Sequence, residues 1–224
     1  MPGRTLAIGD IHGCDVALET LLSNMQPTDD DTVVVLGDVV DRGPNTKRVI
    51  ELLLELQTTC RLKLIAGNHE EMMLNALNRH DMFFWLNFGG HETMLSYGGP
   101  LDDIPPTHVD FLKAALTYYE TEREIFVHAG LDPNVPLPQQ TPDLLRWYKL
   151  DGSETPHSSG KRVVCGHTSQ KSGMPIVGDG WVCIDTWVYG EGWLTCLDVG
   201  TDALYQARQT GQYHDGLTLA DLAA

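Results

Sequence analysis

The sequence predicts an α/β fold, the class in which polar residues gather at the carboxyl ends of neighbouring strands. Two observations predict it. Apolar runs of strand length alternate with amphipathic helical stretches through the first two-thirds of the chain. Three of those runs end in glycine followed by Asp or Asn, at Gly9-Asp10, Gly37-Asp38 and Gly67-Asn68.

Residues 5–8 read as the first strand and 15–25 as a helix with Val16, Ala17, Leu18, Leu21 and Leu22 on one face. A polar turn with Pro27 follows. Residues 32–36 are continuously apolar, as a strand buried on both faces is. A helix over 45–57, a strand over 61–66 and a helix over 70–78 complete the alternation. The pattern changes over 79–107, where an apolar run from Met82 to Leu86 precedes Gly89-Gly90 and Gly98-Gly99-Pro100. This segment reads as a helical cap inserted into a single domain spanning 1–224. Its Phe83, Phe84, Trp85 and Tyr97 are expected at the rim of a site, with at least two of them in a small satellite core. A helix over 110–119, a strand over 125–128 and a proline-rich loop over 132–142 come next. The tail reads as strands at 162–165, 181–185, 192–198 and 203–207, with 183–198 a packed hairpin.

Composition excludes some functions. The formal net charge is -16, from 31 acidic and 15 basic residues. Nonspecific binding to nucleic acid or to an anionic membrane needs a basic surface, so neither is expected. The apolar run after Arg4 is too short for a secretion signal, and no stretch approaches a membrane span. The five cysteines are odd in number and without CxxC spacing, which suits reduced thiols. A soluble, cytoplasmic protein is expected.

The residues after the strands carry the chemistry. Asp10 and His12 sit two apart at a strand end, so both side chains reach one cation. Asp38 comes from the next strand, and its two carboxylate oxygens can bridge two cations. Asn68 adds a neutral oxygen, and His128 and His167 each follow a later strand. Mixed oxygen and nitrogen ligands suit Mn, Fe or Zn better than Ca or Mg. Two such ions lower the pKa of a shared water to roughly 7 and clamp phosphoryl oxygens for in-line attack. His69 is placed as general acid, Asp41 as the carboxylate that orients it, and Arg42 as a planar fork of donors for phosphate. The other histidines, His80, His91, His108, His157 and His214, lack such a setting.

These motifs resemble the phosphoprotein phosphatase family within the calcineurin-like metallophosphoesterases, in its compact bacterial branch. The family pattern stands here as Gly9-Asp10-Ile11-His12-Gly13, Gly37-Asp38-Val39-Val40-Asp41-Arg42-Gly43, Gly67-Asn68-His69-Glu70, His128-Ala129-Gly130 and Gly166-His167-Thr168. The resemblance implies two β-sheets packed as a sandwich and flanked by α-helices. It implies one metal on Asp10, His12 and Asp38, and a second on Asp38, Asn68, His128 and His167. The pair of divalent ions is expected to be manganese, with iron or zinc as alternatives. His69 and Asp41 resemble the acid and its partner; Arg42, Asn68 and Arg146 resemble the phosphate ligands. One departure is Asp185-Thr186-Trp187, where many members have Asp-Thr-Gly.

The implied function is hydrolysis of phosphoserine or phosphothreonine in protein, or of a small phosphoester. The nearest rival is bis(5'-nucleosyl)-tetraphosphatase, whose members typically show Ala-Arg in place of Asp41-Arg42 and Asp in place of Glu70. A catalytically dead phospho-binding scaffold would have lost a metal ligand or the acid, and none of those positions is lost here.

Overall fold

The computed structural model describes residues 3–222. Met1 and Pro2, part of the signal-sequence reading, lie outside the described residues. Three parallel strands open the chain: β1 (Thr5–Ile8), β2 (Thr32–Val35) and β3 (Arg61–Leu64). The crossovers between them are α1 (Asp15–Met25) and α2 (Thr46–Leu56). Asn45, expected inside the second helix, is its N-cap and accepts from Arg48 N at 3.3 Å. A third helix, α3 (Asn68–Leu77), starts on Asn68 itself.

Residues 82–97 and 101–103 form short helical pieces. They comprise α4 (Met82–Trp85), a π-turn (Leu86–Gly90), α5 (His91–Tyr97) and a 3-10 turn (Leu101–Asp103). The next helix, α6 (Pro106–Lys113), begins and ends earlier than the expected 110–119. Proline is favoured at the first helical position, and Pro106 takes it. The chain then turns extended: Leu116 bridges Ile65, and β4 (Tyr119–Glu120) pairs with β5 (Glu124–Phe126). Within the stretch after β5, α7 (Pro142–Trp147) forms with Thr141 as its cap.

The rest is strand: β6 (Arg162–Cys165), β7 (Ile176–Gly178), β8 (Trp181–Cys183), β9 (Leu194–Asp198), β10 (Ala203–Ala207) and β11 (Tyr213–Thr218). They fall into two sheets, ordered β11-β10-β9-β1-β2-β3 and β4-β5-β6-β8-β7. Residues 183–198 are therefore no hairpin. β8 pairs with β6 and β7 in one sheet, whereas β9 pairs with β1 and β10 in the other. The connection carries the chain from sheet to sheet.

Strand alternation sorts the core into layers. Ala7, Val34 and Leu197 from the first sheet meet Phe126, Val164 and Val182 from the second. On its other face the first sheet sends Leu6, Ile8, Val33 and Val35 against α1 and α2. The second sheet sends Ile125, Val127 and Val163 against Leu137 and Leu145. Strands covered on both faces, such as β1 and β2, read as unbroken apolar runs for that reason. The sandwich with flanking helices is the architecture the sequence led us to expect.

Candidate metal centre and active site

All the motif residues follow strands β1, β2, β3, β5 and β6, and those strand ends converge. His12, Asp38, Asp41, Arg42 and His167 share an unusual backbone, with φ of 47, 48, 71, 68 and 63°. Left-handed conformations are costly for residues with a Cβ and cluster where structure holds them for a purpose. Glycines let the loops approach: a Cβ on Gly67 would collide with Asp38 Oδ1, and one on Gly166 with Asp10 Oδ1.

Two groups of side chains have the spacing to hold a metal ion: His12, Asp38 and His69, and Asp38, His128 and His167. Asp38 belongs to both. In the second group His128 Nε2 lies 3.0 Å from Asn68 Oδ1, 3.2 Å from His167 Nδ1 and 3.4 Å from Asp38 Oδ1. His167 Nδ1 is 3.0 Å from the same Asn68 oxygen. Donors about 2.1 Å from one ion stand about 3.0–3.4 Å apart at right to tetrahedral angles, so the set fits a cation. The protonation pattern agrees. His128 Nδ1 donates to the Leu36 carbonyl at 2.8 Å, leaving the Nε2 lone pair to face this group. Burial and His128 lower the His167 pKa to about 3, so that ring is neutral. Lone pairs pointed at one another repel unless a cation lies among them.

On the other side of Asp38, His12 Nδ1 donates to Val40 O at 3.0 Å. Its Nε2 lies 3.6 Å from Asp38 Oδ2 and 2.9 Å from Arg42 Nη1. Asp10 stands outside both groups, its carboxylate accepting the His167 backbone N–H at 3.2 and 3.1 Å. Burial, Asp185 and Asp38 all push its pKa up. A buried cluster of three carboxylates is what bound cations would relieve.

His69 and Asp41 form a pair, with Nδ1 2.7 Å from Oδ2. The His69 pKa is raised: burial opposes the charge, but Asp38 and Asp41 outweigh it. His69 Nε2 is buried with no hydrogen-bond partner among the described residues. It faces Asp38 Oδ2 at 3.9 Å. The helix start also serves the site, since His69 N donates to Asp38 Oδ1 at 3.0 Å from the first turn of α3.

Glu70, expected as a marker of substrate, has a structural task. Its carboxylate accepts the backbone N–H groups of Gly67, Asp38 and Val39, each at 2.8 Å. It thus ties the second motif to the third. Burial and Asp38 push its pKa up to about 7, against those three donors.

A cleft of about 470 Å³ opens over these residues, lined by Asp38, Arg42, Asn68, His167 and Tyr189 among others. The Arg42 guanidinium lies over the Tyr189 ring, 4.7 Å from its centre, and that ring meets His12 edge-on at 4.9 Å. Arg146 stands apart: its Nη1 is 2.8 Å from Glu71 Oε2, and it does not line the cleft. Lys149, three residues on, does. Trp85 is 0% exposed and so is no rim residue, whereas Phe83 is 80% exposed. Phe88, unremarked in the sequence, lines the cleft instead. Trp187 holds φ at 62°, the conformation a glycine would take there, so the turn survives the departure from Asp-Thr-Gly.

The model of the calcineurin-like phosphoesterase family matches residues 3–182. The chain belongs to that family. Among its relatives, serine/threonine-protein phosphatase 1 of Salmonella typhimurium is 36% identical over 84 residues, 37% of each chain. Serine/threonine-protein phosphatase 2 of the same bacterium is 41% identical over 86 residues, 38% of this chain and 37% of that one. The symmetrical bis(5'-nucleosyl)-tetraphosphatase of Photorhabdus laumondii is 42% identical over 72 residues, 31% of this chain and 25% of that one. The chain thus matches well under half the length of these relatives. In three dimensions it is similar to a provisionally assigned diadenosine tetraphosphatase, with a TM-score of 0.72 at 21% identity over 97% of this chain and 95% of that one. It is also similar to a cold-active protein-tyrosine phosphatase of a Shewanella species, with a TM-score of 0.66 at 18% identity over 96% and 80%. At such identities the likeness is one of fold.

Proposed function

We propose that this phosphoesterase is a divalent-metal-dependent phosphoprotein phosphatase acting on phosphoserine or phosphothreonine. In this reading Asp10, His12 and Asp38 hold one ion, and Asp38, Asn68, His128 and His167 the other. The mixed oxygen and nitrogen set favours manganese, with iron or zinc as alternatives. When bound, the ions supply Lewis acidity and lower the pKa of water toward neutrality. The chain's own groups do the rest. Arg42 presents two N–H groups to phosphate oxygens, and the Asn68 amide adds a further contact. His69 Nε2–H passes its proton to the leaving oxygen, while Asp41 keeps the ring oriented through Nδ1. Arg146 would join the phosphate ligands only if its pair with Glu71 opened. Five cysteines, all buried and unpaired, support a reducing, cytoplasmic setting.

The Asp41–His69 pair carries the choice of substrate class. A serine or threonine alkoxide is a strongly basic leaving group and needs a proton as it departs. A nucleotide phosphate leaves as a stabilised anion and needs none. An acid held by a buried carboxylate serves the first reaction, which favours phosphomonoesters of alcohols over dinucleoside polyphosphates. Glu70 no longer adds to this choice, because backbone N–H groups occupy its carboxylate. The test is turnover of a phosphoserine peptide and of a dinucleoside tetraphosphate by the manganese-loaded protein. Preference for the peptide is expected; cleavage of the dinucleotide alone would sink the proposal.

A further inference from the structure

We propose that Trp85 and Thr93 are positioning residues for proton donation, and that the 79–107 insertion clamps Asp41 rather than merely bordering the cleft. This rests on the reading of Asp41 and His69 given above.

The contacts are specific. Trp85 Nε1 donates to both oxygens of Asp41, each at 3.0 Å. Thr93 Oγ1 donates to Asp41 Oδ1 at 2.8 Å and accepts Asp41 N at 2.9 Å. Thr46 Oγ1 stands 3.0 Å from Thr93 Oγ1 and completes the chain of hydroxyls. Asp41, Thr46, Trp85 and Thr93 are all 0% exposed. The same insertion holds the backbone next door. Gly89 O accepts Arg42 N at 3.1 Å, at the left-handed pair Asp41–Arg42. Gly89 itself has φ of 105°, and a Cβ there would fall 2.6 Å from Arg42 N. Gly90 makes room for the Trp85 indole, whose ring a Cβ would overlap.

These donors are neutral. They aim a buried carboxylate without a competing cation, and Oδ2 also accepts His69 Nδ1–H. As the oxygen of the attacking water bonds to phosphorus and the ester O–P bond breaks, the electron pair of that bond goes to the leaving oxygen, which takes the proton from His69 Nε2. The ring ends neutral, and Asp41 remains a carboxylate throughout. A fold-only role would lower stability, not tune this step.

The test uses Trp85→Phe, which removes the indole N–H together with part of the buried ring, and Thr93→Val, which keeps the side-chain shape but removes the hydroxyl that donates to Asp41 Oδ1 and accepts Asp41 N, in the 224-residue chain loaded with manganese. Substrates run from 2,4-dinitrophenyl phosphate through phenyl phosphate to a phosphoserine peptide. For the peptide, kcat should fall about tenfold with KM within about twofold, and the loss should shrink as the leaving group grows more acidic. A loss equal across the series, or no loss, overturns the clamp. Asp41→Asn is measured alongside. If its loss is also flat across the series, the reading of His69 as acid fails; if it is graded while the two variants are flat, only the clamp fails. A second measurement needs neither activity nor metal. The indole ¹H–¹⁵N resonance of Trp85, assigned by its loss in Trp85→Phe, should move in Asp41→Asn more than those of the other tryptophans. An unmoved resonance overturns the proposal even where a variant folds poorly.

Discussion

At the scale of single residues, the site is a set of side chains each answering for another. Asp38 is shared by the two groups with metal spacing, so its loss should cost both ions. His128→Ala touches the second group alone, and if the parent binds the two ions proposed, elemental analysis should find about one per chain in the variant. Asp41→Asn should lower kcat on phosphoserine peptide by about 10²–10⁴-fold with little change in metal content, as measured by steady-state kinetics beside elemental analysis. Much of this was legible in the sequence, because each motif pairs a strand end with a residue of distinct chemistry. Trp85 and Thr93 were not. They lie 44 and 52 residues from Asp41 in the chain, and only folding brings them to it. Nor could the sequence show that Arg146, the candidate between the fourth and fifth motifs, pairs with Glu71 one turn into α3.

At the scale of elements, the links between segments decide stability. Glu70 joins the start of α3 to the loop after β2 through three backbone N–H groups. Aspartate is one methylene shorter and cannot span all three. Glu70→Asp should therefore cost about 2–3 kcal/mol, read from urea unfolding. Asp31 plays a like role at the start of β2, accepting from Arg4 N at 2.7 Å and from its guanidinium at 2.7 Å. The Arg4 side chain holds the Asp31 pKa well below the usual carboxylate range, against the effect of burial. A depressed pKa contributes stability that is present above the unfolded value, about 3.9, and lost as pH falls below it. The stability gap between the parent and Asp31→Asn should thus be widest at neutral pH and close on acidification below about pH 4, as followed by chemical denaturation across pH. Elements with a self-contained signal, such as α1, α2 and β1 to β3, were legible. β11 was not: Tyr213–Thr218 is polar and exposed and carries Gly216 at φ 87°, so β10 supplies its reason to be a strand. Nor could the two tryptophans of 183–198 show that their strands part into different sheets.

At the scale of the whole molecule, net charge and cleft pull in opposite directions. The chain carries -16, yet Arg42 and Lys149 line the cleft. An anionic substrate must cross a repelling field before meeting those cations. Phosphopeptides with Lys or Arg flanks should show a higher kcat/KM than those with Asp or Glu flanks, and the difference should narrow as salt rises from about 0.05 to 0.5 M. Absence of that narrowing would place the preference in local contacts. The order of strands in the first sheet has a consequence in time. β1 lies between β2, its early neighbour, and β9, whose residues come about 190 positions later. A nascent chain can pair β1 on one side long before its other side is covered. Meanwhile Asp10 waits for the His167 amide, 157 residues away. Assembly of the candidate site should therefore come late in synthesis, and refolding should be slow for a chain of this size, because such distant contacts must close before they reward the chain.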